Sequence, residues 1–280
     1  MFRLWLIPFL LLSTCVFGSD SVKISWQKAD AKMRHFRTFS DLSEIKDISH
    51  KGILNLPVSG SGQFSKENLM QLVQAVKASD LPCEKILVID LREEPHGFLN
   101  GLPVILKLKE RPFFFPEEEL IAFEVDLLQR YLEGQNFVEL KGETEKEIVL
   151  SEGLEYIRFP VLDHSHPKDP IVEKFIEIVL NEPKTWIHVH CSAGKGRTTT
   201  FLAMADIIYN AKELSLNAIL LRQKCNDGQD LRKYEKDPHY DPSKRKLYDG
   251  RLAFLKKFHT FCKENDLSQV SWSNWNASQS

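Results

Sequence analysis

The sequence predicts an α/β fold, with a central, mainly parallel sheet flanked by helices. Two patterns carry that expectation. Short apolar, β-branched runs at 85–90 (KILVID), 156–161 (YIRFPV) and 185–190 (TWIHVH) read as buried strands. Between them lie stretches whose apolar residues recur every three or four positions, as on one face of a helix. Size agrees: 280 residues, 42% hydrophobic and 27% charged, suffice for one large domain with a sizeable core.

Residues 1–18 read as a cleaved secretory signal, which implies a secreted or periplasmic protein with 19–280 as its domain. Arg3 supplies a positive start, Leu4–Leu12 is an apolar run too short to span a bilayer comfortably, and Val16-Phe17-Gly18 offers a cleavage site. An uncleaved anchor is the alternative, and no later segment is apolar enough to cross a membrane. Segments 20–60 and 100–155 alternate less cleanly and predict a small, reduced β-rich subdomain beside the sheet. Ser65 caps a helix to Ala78 with Leu69, Leu72, Val73 and Val76 on one face. Pro116 opens a second helix, lined by Leu120, Ile121, Leu127, Leu128 and Tyr131 and stopped near Gly134. Asp169 as N-cap and Pro170 at the first helical position start a third, through Leu180. Further helices are expected at Arg197–Tyr209, Ser215–Lys224 and Ser243–Glu264, and the polar tail after Asp266 is expected to fray.

With 37 basic and 39 acidic side chains the formal net charge is −2, which excludes a globally basic nucleic-acid binder. The charge is unevenly spread. Residues 222–257 hold eleven basic and six acidic side chains, a local balance of +5 that predicts a basic rim for an anionic substrate; a solvated helix face is the plainer reading. Of five cysteines, Cys15 lies in the signal, and the spacing of Cys83, Cys191, Cys225 and Cys262 is not that of a disulfide framework. Cys225 and Cys262 read as core residues.

The chemistry is concentrated in His190-Cys191-Ser192-Ala193-Gly194-Lys195-Gly196-Arg197-Thr198, between a predicted strand and a predicted helix. Such a loop turns its N–H groups around an anion, and the helix N-terminus adds positive potential. Gly194 and Gly196 permit a tight backbone path, Arg197 grips two phosphate oxygens with its planar fork, and the field favours a cysteine's nucleophilic thiolate. Thr198 is placed to donate to the sulfur. A structural cysteine beside a solvated arginine and a rhodanese-type sulfur carrier are the competing readings. A general acid is needed for the leaving oxygen; Asp163, just after a predicted strand, reads from the residues alone as such an acid or as a loop cap. A metal reading of His164, His166, His188 and His190 competes, since His188 and His190 share one strand face.

His-Cys-x5-Arg-Thr resembles the signature of the cysteine-dependent protein tyrosine phosphatase superfamily. Asp90–Gly101 (DLREEPHGFLNG), His35-Phe36-Arg37-Thr38, Ser59–Phe64 (SGSGQF) and Asp163-His164 with Pro167 narrow the resemblance to the PTP-like phytases, over about His35 to Phe258. The resemblance implies a protein tyrosine phosphatase-type fold and hydrolysis of myo-inositol phosphates through a phosphocysteine, with no metal or cofactor. Cys191 would be the nucleophile, Arg197 the phosphate clamp and Asp163 the general acid, with His190 and Thr198 in support. The amides of Ser192, Ala193, Gly194, Lys195 and Gly196 would hold phosphate. His164, Arg37, Lys244 and Arg251 would touch the substrate, while His96 and Arg92 divide evenly between a site role and a structural one. Lys195 resembles the loop lysine of phosphoinositide phosphatases. The tryptophan-bearing stretch and the His-Lys pair expected between Gly101 and Asp163 are missing, which points to a reduced subdomain and leaves the phosphate count of the substrate open. A phosphoprotein is the alternative substrate, a non-catalytic phospho-ligand module the alternative class.

Overall fold

The computed structural model describes residues 22–27, 31–52, 56–79, 81–107, 117–133, 140–182, 184–237 and 240–279. The proposed signal with Cys15, and Pro116 and Gly134 as helix boundaries, lie outside the described residues. The chain runs β1 (Lys23–Trp26), β2 (Arg37–Thr38), β3 (Val58–Gly62), α1 (Lys66–Lys77), β4 (Lys85–Arg92), β5 (His96–Leu99) and β6 (Leu102–Lys107). It continues through α2 (Glu117–Glu133), β7 (Gly142–Glu143), α3 (Glu145–Ser151), β8 (Glu155–Val161), α4 (Asp169–Asn181) and β9 (Thr185–Cys191). Four helices close it: α5 (Gly196–Asn210), α6 (Leu216–Cys225), α7 (Arg245–Glu264) and α8 (Trp272–Ser278).

The central sheet has the order β2-β3-β9-β4-β8, parallel except for the short edge strand β2. β9 is buried along its whole length and β4 along all but its first residue, which explains their continuous apolar runs. Helix α5 is buried nearly all round, beneath a core that includes Val189, Phe201, Leu202, Leu255 and Phe258. The expected β-rich subdomain is a small antiparallel sheet, β1-β6-β5-β7, covered by Leu127 and Leu128 of α2. Its β5–β6 hairpin turns on Asn100-Gly101, both with positive φ (49° and 77°), the geometry that suits the right-handed twist of a two-residue loop. No helix among the described residues is long and apolar enough to cross a membrane.

Ser65 caps α1 as expected, accepting from Asn68 N in a reciprocal capping box. Three expectations fail. Asp169 is not the N-cap of α4; it is the first helical residue, after Lys168. Its carboxylate instead accepts from Trp272 Nε1 at 2.7 Å. The tail does not fray, because α8 inserts Trp272, 1% exposed, among Phe254, Phe258 and Phe261 of α7. Cys262 is buried but Cys225 is exposed, at the end of α6; the four described cysteines are free thiols.

Candidate active site

The phosphate loop hangs between the end of β9 and the start of α5. Cys191 pairs with Gly62 in the parallel ladder, so the loop leaves the sheet beside β3. Gly194 has φ +75°, and a Cβ there would lie 2.4 Å from Gly62 N, so only glycine lets the loop press against the strand. The segment before β3 braces the loop from outside. Gln27 Nε2 donates to Ser192 Oγ at 2.8 Å and Arg34 Nη2 to Ser192 O at 3.0 Å. Arg37 Nη1 donates to Gly194 O at 2.9 Å and Nη2 to Thr199 Oγ1 at 3.1 Å. Arg37 was expected to touch substrate; its hydrogen bonds go to His35 O, to the loop and to the helix behind it. Burial lowers its pKa to about 10. Ala193 is exposed on the loop.

Thr198 Oγ1 lies 3.2 Å from both Cys191 Sγ and Ser61 O, and Cys191 itself is 3% exposed. Arg197 is buried and spread over several acceptors. Nη1 and Nη2 donate to the two oxygens of Glu94 at 2.7 and 2.8 Å, and Nη1 also donates to Val161 O at 3.1 Å. Burial alone would lower the guanidinium's pKa, but the Glu94 carboxylate outweighs it and raises it well above the ordinary value. In return Arg197 overcomes the burial of Glu94 and holds that carboxyl well below the usual range. Glu94 was not anticipated, although it stands in the DLREEPHG segment directly after β4.

The expected acid reaches the same arginine. Asp163 is exposed, and its Oδ1 lies 3.4 Å from Arg197 Nε and accepts from His164 N at 3.0 Å. His164 holds left-handed backbone (φ 66°) and sets its ring edge-on to Tyr248, with centroids 5.1 Å apart. Partial burial lowers its pKa, and the charges of Arg251, Arg197 and Lys244 push the same way. Arg251, buried on α7, ties the acid loop to the phosphate loop. Its Nε donates to Ser165 O at 3.0 Å, Nη1 to Gln229 Oε1 at 3.4 Å, and a Cβ on Gly196 would lie 2.6 Å from Nη1. Nη2 is buried without a hydrogen-bond partner among the described residues, and burial lowers the Arg251 pKa to about 10. Lys244 closes the turn that precedes α7.

The expected basic rim is narrower than its sequence. Arg222 is buried in an ion pair with Asp206, Arg232 is paired with Asp230, and Arg245 lies near Asp249. Of that segment, Arg251 reaches the acid loop at Ser165 O, and Lys244 lies near enough for its charge to bear on His164. Lys195 also turns aside, donating to Asp227 Oδ1 at 2.8 Å.

The four histidines do not converge. His166 stacks on Phe254, and His188 sits between Ser59 Oγ (2.9 Å) and Ser61 Oγ (3.0 Å). Among the described residues, the group with metal-ligand spacing is Asp90, Glu145 and His190, behind the nucleophile. Three of its four carboxylate oxygens already accept hydrogen bonds: Asp90 from Arg92 N and Tyr156 OH, and Glu145 Oε2 from Gln63 Nε2 at 2.7 Å. Arg158 pairs with Asp90 and Glu124, and His96 with Asp90 and Glu145. For His96, burial and Arg92 oppose the charged form, yet Asp90 and Glu124 raise its pKa to about 9. This donor set fits an ion-pair network better than a cation site, since a divalent ion would have to displace positive groups already in place. His96 and Arg92 thus take the structural role. His190 Nε2 lies 2.6 Å from Glu145 Oε1, so the residue before the nucleophile is anchored to that network.

A cysteine and an arginine on one loop of an α/β sheet, with an aspartate brought to the arginine, define the cysteine-dependent phosphatases of the tyrosine phosphatase type. Residues 117–209 match the profile of the PTP-like phytases, whose description is inositol hexakisphosphate. The myo-inositol phosphatase of Mitsuokella multacida, solved with myo-inositol-(1,3,4,5)-tetrakisphosphate, is similar at 30% identity and TM-score 0.79, over 94% of this chain and 49% of its own. A PTP-like phytase of Bdellovibrio bacteriovorus is similar at 28% identity and TM-score 0.72, over 91% of this chain and 94% of its own. The effector protein hopD2 of Pseudomonas syringae is 27% identical over 88% of this chain and 57% of its own length. The chain therefore spans about half the length of the Mitsuokella and Pseudomonas relatives. Over residues 117–209 it matches the PTP-like phytase family in sequence, and its fold is that of the family's solved structures.

Proposed function

We propose that the protein hydrolyses phosphomonoesters of myo-inositol phosphates through a phosphocysteine. The carrying observation is the convergence on one loop of a buried cysteine, an arginine fixed by Glu94, and Asp163 at 3.4 Å from that arginine. The inositol phosphate complex of the Mitsuokella relative supports the substrate class. The amides of Ser192 to Gly196 and the fork of Arg197 hold the phosphoryl oxygens. Cys191 Sγ attacks phosphorus in line while the bond to the inositol oxygen breaks, and Asp163 gives that oxygen its proton. Water then attacks the phosphocysteine, Asp163 takes the water's proton, and phosphate leaves as the S–P bond breaks. Thr198, donating to Sγ, stabilises the departing thiolate. His164, Arg251 and Lys244 face the remaining phosphates.

The deciding experiment measures phosphate release from inositol hexakisphosphate, a phosphoinositide and a phosphotyrosyl peptide. Turnover of the inositol phosphates, lost by about 10⁴-fold or more in Cys191→Ser, is the expected result. Full turnover in that variant sinks the mechanism, and hydrolysis of the peptide alone sinks the substrate.

A further inference from the structure

The turn at 226–229 sets a carboxylate against the cations of a phosphate site. Lys195 Nζ donates to Asp227 Oδ1 at 2.8 Å and to Asp227 O at 2.7 Å. The second carboxylate oxygen, Oδ2, lies 2.7 Å from His35 Nδ1. His35 and Asp227 both hold left-handed backbone, with φ 52° and 54°. Such backbone costs a non-glycine residue free energy and persists where its surroundings impose it. Here they do. Asn226 Nδ2 donates to Thr38 O at 2.7 Å, Gly228 N to Gln223 O at 3.0 Å, and Gln229 N to Thr199 Oγ1 at 3.1 Å. The turn is fastened to β2, α6 and α5 on both sides of Asp227, so the carboxylate is held in place rather than drifting on the surface. Burial would raise its pKa, but the hydrogen bonds from Lys195 and His35 outweigh that and lower it.

A fixed anion on this flank repels a second dianionic phosphate, which would also have to take Lys195 from its partner. A ring hydroxyl meets no such opposition: it donates to the carboxylate and accepts from the lysine. Resting on the inositol phosphate reading above, we infer that Asp227 determines specificity by neutralising Lys195, so that this flank receives a hydroxyl in place of a second phosphate. The protein then acts on partly dephosphorylated inositols in preference to the fully phosphorylated ring.

Binding decides this independently of turnover. Full-length Cys191→Ser and Cys191→Ser/Asp227→Asn proteins are titrated calorimetrically with inositol hexakisphosphate and with an inositol monophosphate at one salt concentration. Asn tolerates left-handed backbone, so the turn is kept. The expected result is at least a fivefold shift in selectivity toward the hexakisphosphate, carried by its Kd, and most of that gain disappears when Lys195→Met is added. A merely structural role weakens both ligands together. No shift, equal loss for both ligands, or a gain that survives Lys195→Met overturns the inference. Failure of the substrate reading shows elsewhere, as wild-type protein that releases no phosphate from any inositol phosphate.

Discussion

The two flanks of the phosphate loop treat their cations differently. Two of them have a carboxylate: Arg197 is matched by both oxygens of Glu94, and Lys195 is held by Asp227. Toward α7, Arg251 meets the carbonyl of Ser165 and the amide oxygen of Gln229, and its Nη2 is buried without a hydrogen-bond partner among the described residues. A buried guanidinium with an open donor is costly until an anion completes it. The positive potential of such a site therefore depends less on how many lysines and arginines a segment holds than on which of them the fold leaves uncompensated.

The largest effect should come from removing what holds α7 in place. Trp272→Ala is expected to lower the unfolding free energy by about 3–5 kcal/mol in a denaturant titration, and to raise KM for an inositol tetrakisphosphate more than it lowers kcat. Equal losses in both would mean that α7 does not act through Arg251. Glu94→Gln attacks the other flank. It replaces the guanidinium's bidentate carboxylate with a neutral amide and should cost about 3 kcal/mol of stability by the same titration, together with a fall in kcat/KM. Arg251→Met should raise KM for the tetrakisphosphate roughly 10–100-fold, as expected for one or two charge-assisted hydrogen bonds. Lys195→Met should raise it less than about threefold, because Asp227 already occupies that lysine; steady-state kinetics on the two variants would reverse the comparison if Lys195 proved the larger.

A smaller contrast lies behind the loop, between two histidines on β9. His190 faces Glu145, whereas His188 sits between two serine hydroxyls, and burial lowers its pKa to about 3. Between the ordinary histidine value and pH 3 the unfolded chain takes up a proton that folded His188 refuses. Stability is therefore lost as pH falls through that window, with a limiting slope of about 1.4 kcal/mol per pH unit. His188→Asn should flatten the pH dependence of unfolding below pH 6.5 relative to wild type.

Much of this was legible in the chain. The interior strands β4 and β9 showed as continuous apolar runs because parallel strands covered on both faces leave little room for polar residues. The loop with Cys191 and Arg197 was legible because local spacing sets it, and Asp163 through the resemblance of its Asp-His segment to a phosphatase acid loop. Strand β3 was not, because Val58–Gly62 (VSGSG) is built of small residues where the loop and α5 press close, so it lacks an apolar run. The tail misled because a polar composition concealed Trp272 and Trp275, three positions apart on one short helix. Glu94 and Asp227 escaped for a different reason: a carboxylate that meets its cation 103 or 32 residues away leaves no local mark.

The braces on the loop also bear on how the site comes to exist. Gln27, Arg34 and Arg37 reach it across 165, 158 and 157 residues of chain. Contacts so distant close large loops of unfolded polypeptide and form late in folding. The arms that steady the phosphate loop thus depend on the sheet that sets β9 beside β3. They also lie outside residues 117–209, the stretch by which the family profile recognises the chain. A fragment cut to that stretch would lose these braces along with β3, and would end inside α5 with nothing to hold its cysteine loop in register.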